Sequence, residues 1–189
     1  MPDVVGRMFA FILGVVMMFM VPLTIIMLKQ DDTKQALIDD AVVEFIDNAR
    51  AAGEITPTAY RQFVKRVNDA HGGCNIDIVY ESAMETPEPL DSDGNPVAMT
   101  GHATERYGYK RSLQAYTTKD IIVYMFGQTD GAGNVLTQDF PMREGGYISA
   151  KVENRTSTPG TQMLRMFLPQ YTGKAIVSSY GGYVGNNKQ

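Results

Sequence analysis

The chain has 189 residues, a formal net charge of −4, one cysteine and two histidines. The negative charge and the absence of a basic stripe argue against a nucleic acid as partner. Cys74 is the single cysteine, which excludes an intramolecular disulfide, and with two histidines it supplies too few ligands for a structural zinc site. Composition therefore predicts a protein without a metal or a cofactor.

The most informative segment is residues 8–28, which contain no charge and a single polar side chain, that of Thr24. At 1.5 Å per residue such a helix is about 30 Å long, the thickness of the hydrocarbon core of a bilayer. The segment predicts a transmembrane helix, and the lipid bilayer is then its partner. The residues expected to serve insertion or assembly are Met8, Phe9, Phe11, Gly14, Phe19, Pro22 and Leu28.

Two other interpretations of this segment remain open. A cleaved secretory signal has a shorter apolar region with a small-residue cleavage site, whereas this longer run is followed by Lys29, Gln30 and Asp31. A buried core helix would normally carry a polar face, which this segment lacks. Pro22 predicts a bend, because it has no N–H and its ring clashes with the carbonyl of Met18.

The predicted anchor divides the chain into a short tail and a large domain. We expect residues 1–7 to stay in the cytoplasm, residues 8–28 to span the cell membrane, residues 29–53 to continue the helix, and residues 54–189 to form an extracytoplasmic domain. This single-pass arrangement is the simplest one, because large domains translocate largely regardless of the flanking charges.

An amphipathic helix follows the apolar segment. Between residues 31 and 52 there is neither glycine nor proline, and apolar side chains recur at the three- and four-residue spacing of one helix face. Gly53 is a natural stop. The predicted membrane helix and the amphipathic helix would thus form one long, bent rod. The packing face of its second half is expected at Leu37, Ile38, Val42, Phe45 and Ile46.

The remaining pattern predicts an α+β fold, with a small antiparallel or mixed sheet covered by helices. Thr56 and Pro57 suit the start of a second helix. Proline and glycine punctuate residues 82–110, which indicates a long exposed loop, with or without a short hairpin that turns near residues 93–95. The other predicted elements are strands at 75–81, 135–140, 147–154 and 174–180, a helix from Thr118 to Gly127, a helix from Pro159, and a final stop at Gly181 and Gly182.

No constellation of side chains predicts catalysis. His71 and Cys74 are separated by two glycines, which makes a nucleophile–base pair improbable. Asp39 and Glu44 are carboxylates on a helix face, without neighbours that would separate their pKa values for acid–base work. Residues 91–95 and 130–134 carry oxygen ligands and glycines, but a plain turn explains both better than a cation site. We therefore expect no enzyme activity.

Parts of the sequence resemble a known kind of protein. A hydrophobic amino-terminal helix that continues into an amphipathic helix and a compact α+β domain looks like the plan of type IV pilins and pseudopilins. Residues 45–56 (FIDNARAAGEIT), with Tyr60, Phe63 and residues 179–182 (SYGG), are similar to pilin-like membrane proteins of Gram-positive anaerobes. Members of that family accompany Tad-type secretion and pilus machinery.

The resemblance implies one of two functions. The first is a pilin-like structural subunit of an extracytoplasmic filament or pseudopilus, which assembles through its hydrophobic helix. The second is a membrane-anchored accessory or binding protein of a secretion or pilus complex that does not polymerise. The second is favoured by a departure from the prepilin pattern, because Gly6 is followed by Arg7 and Phe11 occupies the position of the pilin glutamate.

Overall fold

The computed structural model describes residues 2–90, 94, 106–130, 133, 135–170 and 175–185, without the side chains of residues 2, 3, 106, 107 and 167. The fold is α+β with antiparallel sheets, as the sequence predicts. Its elements in chain order are α1 (Pro2–Ala52), β1 (Glu54–Ile55), α2 (Pro57–Ala70), β2 (Cys74–Leu90), β3 (Arg106–Thr117), α3 (Thr118–Phe126), β4 (Gln128–Thr129), β5 (Val135–Leu136), β6 (Phe140–Pro141), β7 (Tyr147–Asn154), α4 (Pro159–Phe167) and β8 (Val177–Tyr183).

The predicted rod is one uninterrupted helix, α1, with Pro22 inside it. Gly53 ends the helix with a φ of +72°, a conformation that glycine adopts without steric cost, and its N–H donates to the carbonyl of Ala49. The hydroxyl of Thr56 then accepts from the N–H of Ala59 at 3.1 Å and caps α2, with Pro57 in the first helical position. The predicted stop and the predicted cap are both confirmed.

Helix α2 folds back along α1 in an antiparallel helical hairpin. The rings of Phe45 and Phe63 stack at 4.4 Å between centroids, and one turn further Glu44 forms an exposed ion pair with Arg66. Stacked aromatic rings of this kind add to the gain from burial alone. The carboxyl-terminal half of α1 therefore lies between α2 and the sheet, with apolar side chains toward both.

The principal sheet has four strands in the order β3-β2-β7-β8, all antiparallel. The predicted loop is wrong for residues 82–90 and 106–110, because β2 and β3 form a hairpin far longer than the short one considered around 93–95: Glu81 pairs with Ala115 and Leu90 pairs with Arg106. Beyond Glu81, β2 has β3 as its one described neighbour. Prolines are tolerated there, since an edge strand points every second N–H to solvent. The turn predicted at 93–95 lies outside the described residues except for Gly94.

Strand β8 runs in the same direction as α1. Gln35 Nε2 donates to the carbonyl of Val177 at 3.1 Å, and Arg50 Nε donates to the carbonyl of Tyr183 at 2.8 Å. From Gln35 to Arg50 the helix rises about 22 Å, and from Val177 to Tyr183 the strand rises about 20 Å. The two segments are therefore of nearly equal length and lie side by side. We call the Gln35–Val177 side the span-proximal end of the domain and the Arg50–Tyr183 side its distal end.

The sequence predicts that Gly181 and Gly182 end the last strand. In the structure both glycines lie inside β8. A Cβ at Gly181 would approach the hydroxyl of Tyr147 to 2.6 Å, and a Cβ at Gly182 would approach the guanidinium carbon of Arg50 to 2.5 Å. The last strand therefore needs glycine for close approach of its neighbours, and it begins at Val177 and ends at Tyr183 rather than spanning 174–180.

The middle of the chain confirms one predicted helix and divides one predicted strand. Helix α3 lies where it is predicted, although Thr117 and not Thr118 is the cap residue, with its N–H and hydroxyl donating to Asp120. These hydrogen bonds hold the pKa of the Asp120 carboxyl below its usual value. The strand predicted at 135–140 is instead two short strands, because β5 pairs with β4 whereas β6 pairs with β1.

Candidate anchoring and assembly surface

The amino-terminal half of α1 is an apolar surface that the rest of the domain leaves uncovered. Among the described residues α1 is the one helix long and apolar enough to span a membrane, judged by length and composition. None of its most apolar window is buried, which contradicts the alternative of a core helix in this chain. Phe11 is 74% exposed and Met8, Phe9 and Phe19 are similar, while a Cβ at Gly14 would meet nothing within 4 Å.

The single hydroxyl of this segment is satisfied inside the helix. Thr24 Oγ1 donates to the carbonyl of Met20 at 2.8 Å, so the segment presents no free hydroxyl donor at this point. Such a bond to the preceding turn suits an apolar solvent, where an unpaired polar group would cost several kcal/mol. Pro22 lies between the two residues, and the helix continues on both sides of it. The predicted bend at Pro22 remains a prediction.

One face of the last turns of the predicted span is covered by α4. A Cβ at Gly160, in the first turn of α4, would lie 2.5 Å from Asp31 Oδ2 and 3.3 Å from both Leu28 Cδ2 and the backbone of Met27. Leu28 is accordingly half-buried rather than exposed. The sequence predicts the helix at Pro159 but not its contact with α1. A glycine at residue 160 does not by itself indicate that another helix packs there.

A cavity of about 210 Å³ lies beside this contact, between α1, α4 and the chain that leads into β8. Its lining includes Leu28, Gln35, Thr158 and Ile176. Asp31 Oδ1 is buried at its edge without a hydrogen-bond partner among the described residues. A carboxylate at this place is favoured by the amino-terminal end of α4, whose free N–H groups carry partial positive charge.

The carboxyl-terminal half of α1 supplies the packing face of the domain. Ile38, Val42, Phe45 and Ile46 are buried, together with alanines at 41 and 49. Leu37 is 54% exposed, so its assignment to the packing face is wrong. The reason is angular: the buried stripe follows a three- and four-residue spacing that starts at Ile38, and Leu37 lies about 100° away from it.

Residues 45–56 and residues 179–182 lie against each other. Tyr180 donates its hydroxyl to Asp47 Oδ1 at 3.2 Å, and Arg50 reaches across Gly182 to the carbonyl of Tyr183. Arg50 also pairs with Asp47 at 2.9 Å. Residues 45–56 and 179–182 are thus two sides of one contact between α1 and β8, although more than 120 residues separate them in the chain.

A second uncovered surface lies on the hairpin of β2 and β3, whose length the sequence does not predict. Glu81 pairs with Tyr147 at the distal end of the domain, so the remaining nine residues of β2 project about 30 Å beyond it. We call this projecting part, residues 82–90 of β2 with residues 106–114 of β3, the β2–β3 arm. Tyr109 and Leu113 on the arm are 74% and 80% exposed. Alternation of these side chains with polar residues is the one sequence signal for a strand here, and it is weak.

His71 and Cys74, which the sequence analysis considers as a catalytic pair, make structural contacts instead. His71 is buried at the end of α2, and its Nε2 lies 3.2 Å from Thr156 Oγ1. The thiol of Cys74 donates to the backbone carbonyl of His71, not to its ring, and burial raises the pKa of that thiol. A Cys–His nucleophile pair is therefore not formed.

The acidic side chains likewise form no site in the described part of the chain. Asp39 accepts from Gln35 Nε2 at 2.9 Å, and Glu44 pairs with Arg66 at the surface. Gly133 donates to the carbonyl of Asp130 in a turn, whereas the turn at 91–95 is outside the described residues except for Gly94. Across the described residues, no three His, Cys, Asp or Glu side chains are grouped to hold a metal ion.

Comparison of the chain with family models, with curated proteins and with solved structures finds no match. The arrangement of the chain itself therefore carries the functional argument. A single helix joins an uncovered apolar segment to a folded α+β domain, and residues 45–56 and 179–182 meet where that helix contacts the sheet.

Proposed function

We propose that this chain is a pilin-like structural subunit of an extracytoplasmic filament or pseudopilus, and that it assembles through the apolar half of α1. One observation carries the proposal. The helix is uncovered over its first half and packed into the domain over its second half, with no break between them. An anchor that only tethers a domain has no need of this continuity, whereas a subunit that stacks on its neighbours by a helix does.

In the proposed assembly, the apolar half of α1 leaves the bilayer and packs against the same half of other copies. Lipid tails are as apolar as the helix, so close fit and not the hydrophobic effect must favour helix–helix contact. Gly14 supports such a fit, because no atom of the chain lies near the site of its missing side chain. Pro22 would let the helix adjust its path while the domain stays intact.

The domain would form the outer wall of the filament. The contact between α1 and β8 supports this, since it fixes the direction of the domain relative to the helix at both ends of the strand. The β2–β3 arm points away from the span and would reach past the domain toward a neighbouring subunit or partner. The pilus or secretion machinery would supply the energy of extraction.

A membrane-anchored accessory protein that does not polymerise is the second candidate. The observation in its favour is Phe11, which stands where pilins carry a glutamate, together with Arg7 directly after Gly6. In this case the same helix tethers the domain to the cell membrane, and the exposed arm would bind a component of the complex.

The two candidates differ in whether copies of α1 touch one another. We would introduce Phe19→Cys into a Cys74→Ser chain, in the cells that naturally produce it, and apply a thiol crosslinker. Homotypic adducts, with the chain in sheared surface filaments by electron microscopy and mass spectrometry, are expected. Val123→Cys, which is exposed on the domain, is the matched control. Adducts with other proteins only, and a chain confined to membranes, would favour the accessory protein.

A further inference from the structure

We infer that α4 and the residues up to Leu168 lie in the headgroup region of a lipid bilayer and form a second membrane contact beside α1. The inference rests on the membrane anchoring in the proposed function but not on filament assembly. The first observation is position. The first turn of α4 lies against Met27, Leu28 and Asp31, where the apolar run of α1 ends and charge begins.

The second observation is the character of the exposed side of α4. Met166 is 78% exposed and Leu168 is 58% exposed, although both are apolar. Gly160 and Thr161 on the other side are buried against the rest of the domain. Arg165 on α4 and Lys29 on α1 are both exposed. Apolar side chains flanked by long cationic ones are typical of helices at a membrane surface.

The length of α4 limits how far its exposed end can lie from the end of the predicted span. From Gly160 to Leu168 the chain rises about 12 Å at most, because a helix rises 1.5 Å per residue. Because α1 holds the first turn of α4 at the end of the span, no further positioning is needed. The covalent anchor thus holds Met166 and Leu168 within about 12 Å of the bilayer surface in every molecule.

A second copy of the chain is a weaker occupant for this surface. Stable protein interfaces bury about 800 Å² on each partner, and two exposed apolar side chains supply only a part of that area. A lipid surface has no such threshold, because an apolar side chain gains by entering it individually. The uncovered area is therefore small for a protein interface and sufficient for a lipid contact that is already anchored.

The test measures how deeply single labelled side chains enter a membrane. The full chain with Cys74→Ser is reconstituted in vesicles of phosphatidylcholine and phosphatidylglycerol, and an environment-sensitive fluorophore is attached at Met166→Cys. Leu168→Cys is the second reporter, so the result does not depend on one variant. Leu113→Cys, which is 80% exposed on the arm, is the water-exposed control, and Phe19→Cys is the control within the span.

We expect the labels at 166 and 168 to emit at shorter wavelength and to lose intensity when the lipids carry a nitroxide near the headgroup, while the label at 113 does neither. The control label at 19 is read with lipids that carry the nitroxide deep in the acyl chain, since residue 19 lies near the middle of the predicted span. If the labels at 166 and 168 behave like the one at 113 while the label at 19 is quenched by the deep nitroxide, the inference is overturned and the anchor stands. A blue shift at 166 and 168 without quenching by the headgroup nitroxide would overturn it in favour of a protein partner. If the deep nitroxide does not quench the label at 19, the anchor itself fails.

Discussion

Replacing Phe45 by alanine tests whether the second half of α1 belongs to the core of the domain. The side chain is 5% exposed, and its ring stacks on Phe63 with an angle of 11° between the planes. A buried Phe→Ala change costs about 3–5 kcal/mol, the transfer free energy plus the cavity left behind. With a urea dependence of about 2 kcal/mol per molar, the unfolding midpoint should fall by about 1.5–2.5 M.

The assay is urea unfolding of the full chain in detergent micelles, followed by tyrosine fluorescence, since the chain has ten tyrosines and no tryptophan. Leu37→Ala is the matched control on the same helix and should change the free energy of unfolding by no more than about 0.5 kcal/mol. A double-mutant cycle with Phe63→Ala should give a coupling of about 0.5–1.5 kcal/mol for the stacked rings. Equal effects of the changes at 45 and 37 would refute the packing described for α1.

Three further changes probe the turn, the buried hydrogen bonds and the acid dependence. Gly53→Ala should cost about 1–2 kcal/mol in the free energy of unfolding because of its positive φ, whereas Gly72→Ala, without that conformation, should cost little. Tyr80→Phe removes the acceptor of the Arg143 N–H, 2.5 Å from the hydroxyl, and should cost about 1–3 kcal/mol, unlike a change at an exposed tyrosine. Asp120 has a lowered pKa, so its contribution is complete above the ordinary aspartate pKa of about 3.9 and is lost as the pH falls through the lower folded value. Asp120→Asn should flatten the acid limb of stability against pH, and an unchanged acid limb would contradict the capping role.

Local signals in the sequence were sufficient where one or two residues decide the backbone. Gly53 and Thr56 end one helix and begin the next because a positive φ and a cap hydroxyl are properties of single residues. The apolar spacing of α1 likewise predicts its buried stripe, apart from the displaced Leu37. Strand β7 and helix α3 follow from short periodic patterns in the same way.

The length of the β2–β3 hairpin and the contact of α4 with α1 could not be predicted from local sequence patterns. Pro87 and Pro89 indicate a loop, but they are two residues apart and so remove donors on the same side of β2, which an edge strand tolerates. The contact between α4 and α1 is possible because Gly160 has no Cβ, which would clash with Asp31. A glycine in the sequence does not show which other helix will pack against it. Both failures concern contacts between two segments, and the periodicity within one segment cannot report what it pairs with.

The parallel course of α1 and β8 has a mechanical consequence. A force that pulls the domain along the helix axis would load the contacts from Gln35 to Arg50 in shear, so that the hydrogen bonds at the two ends and the apolar stripe between them resist together. Contacts that the force loads at right angles would instead break one after another. The contact between α1 and β8 would therefore transmit tension lengthwise, from the apolar half of α1 into the sheet.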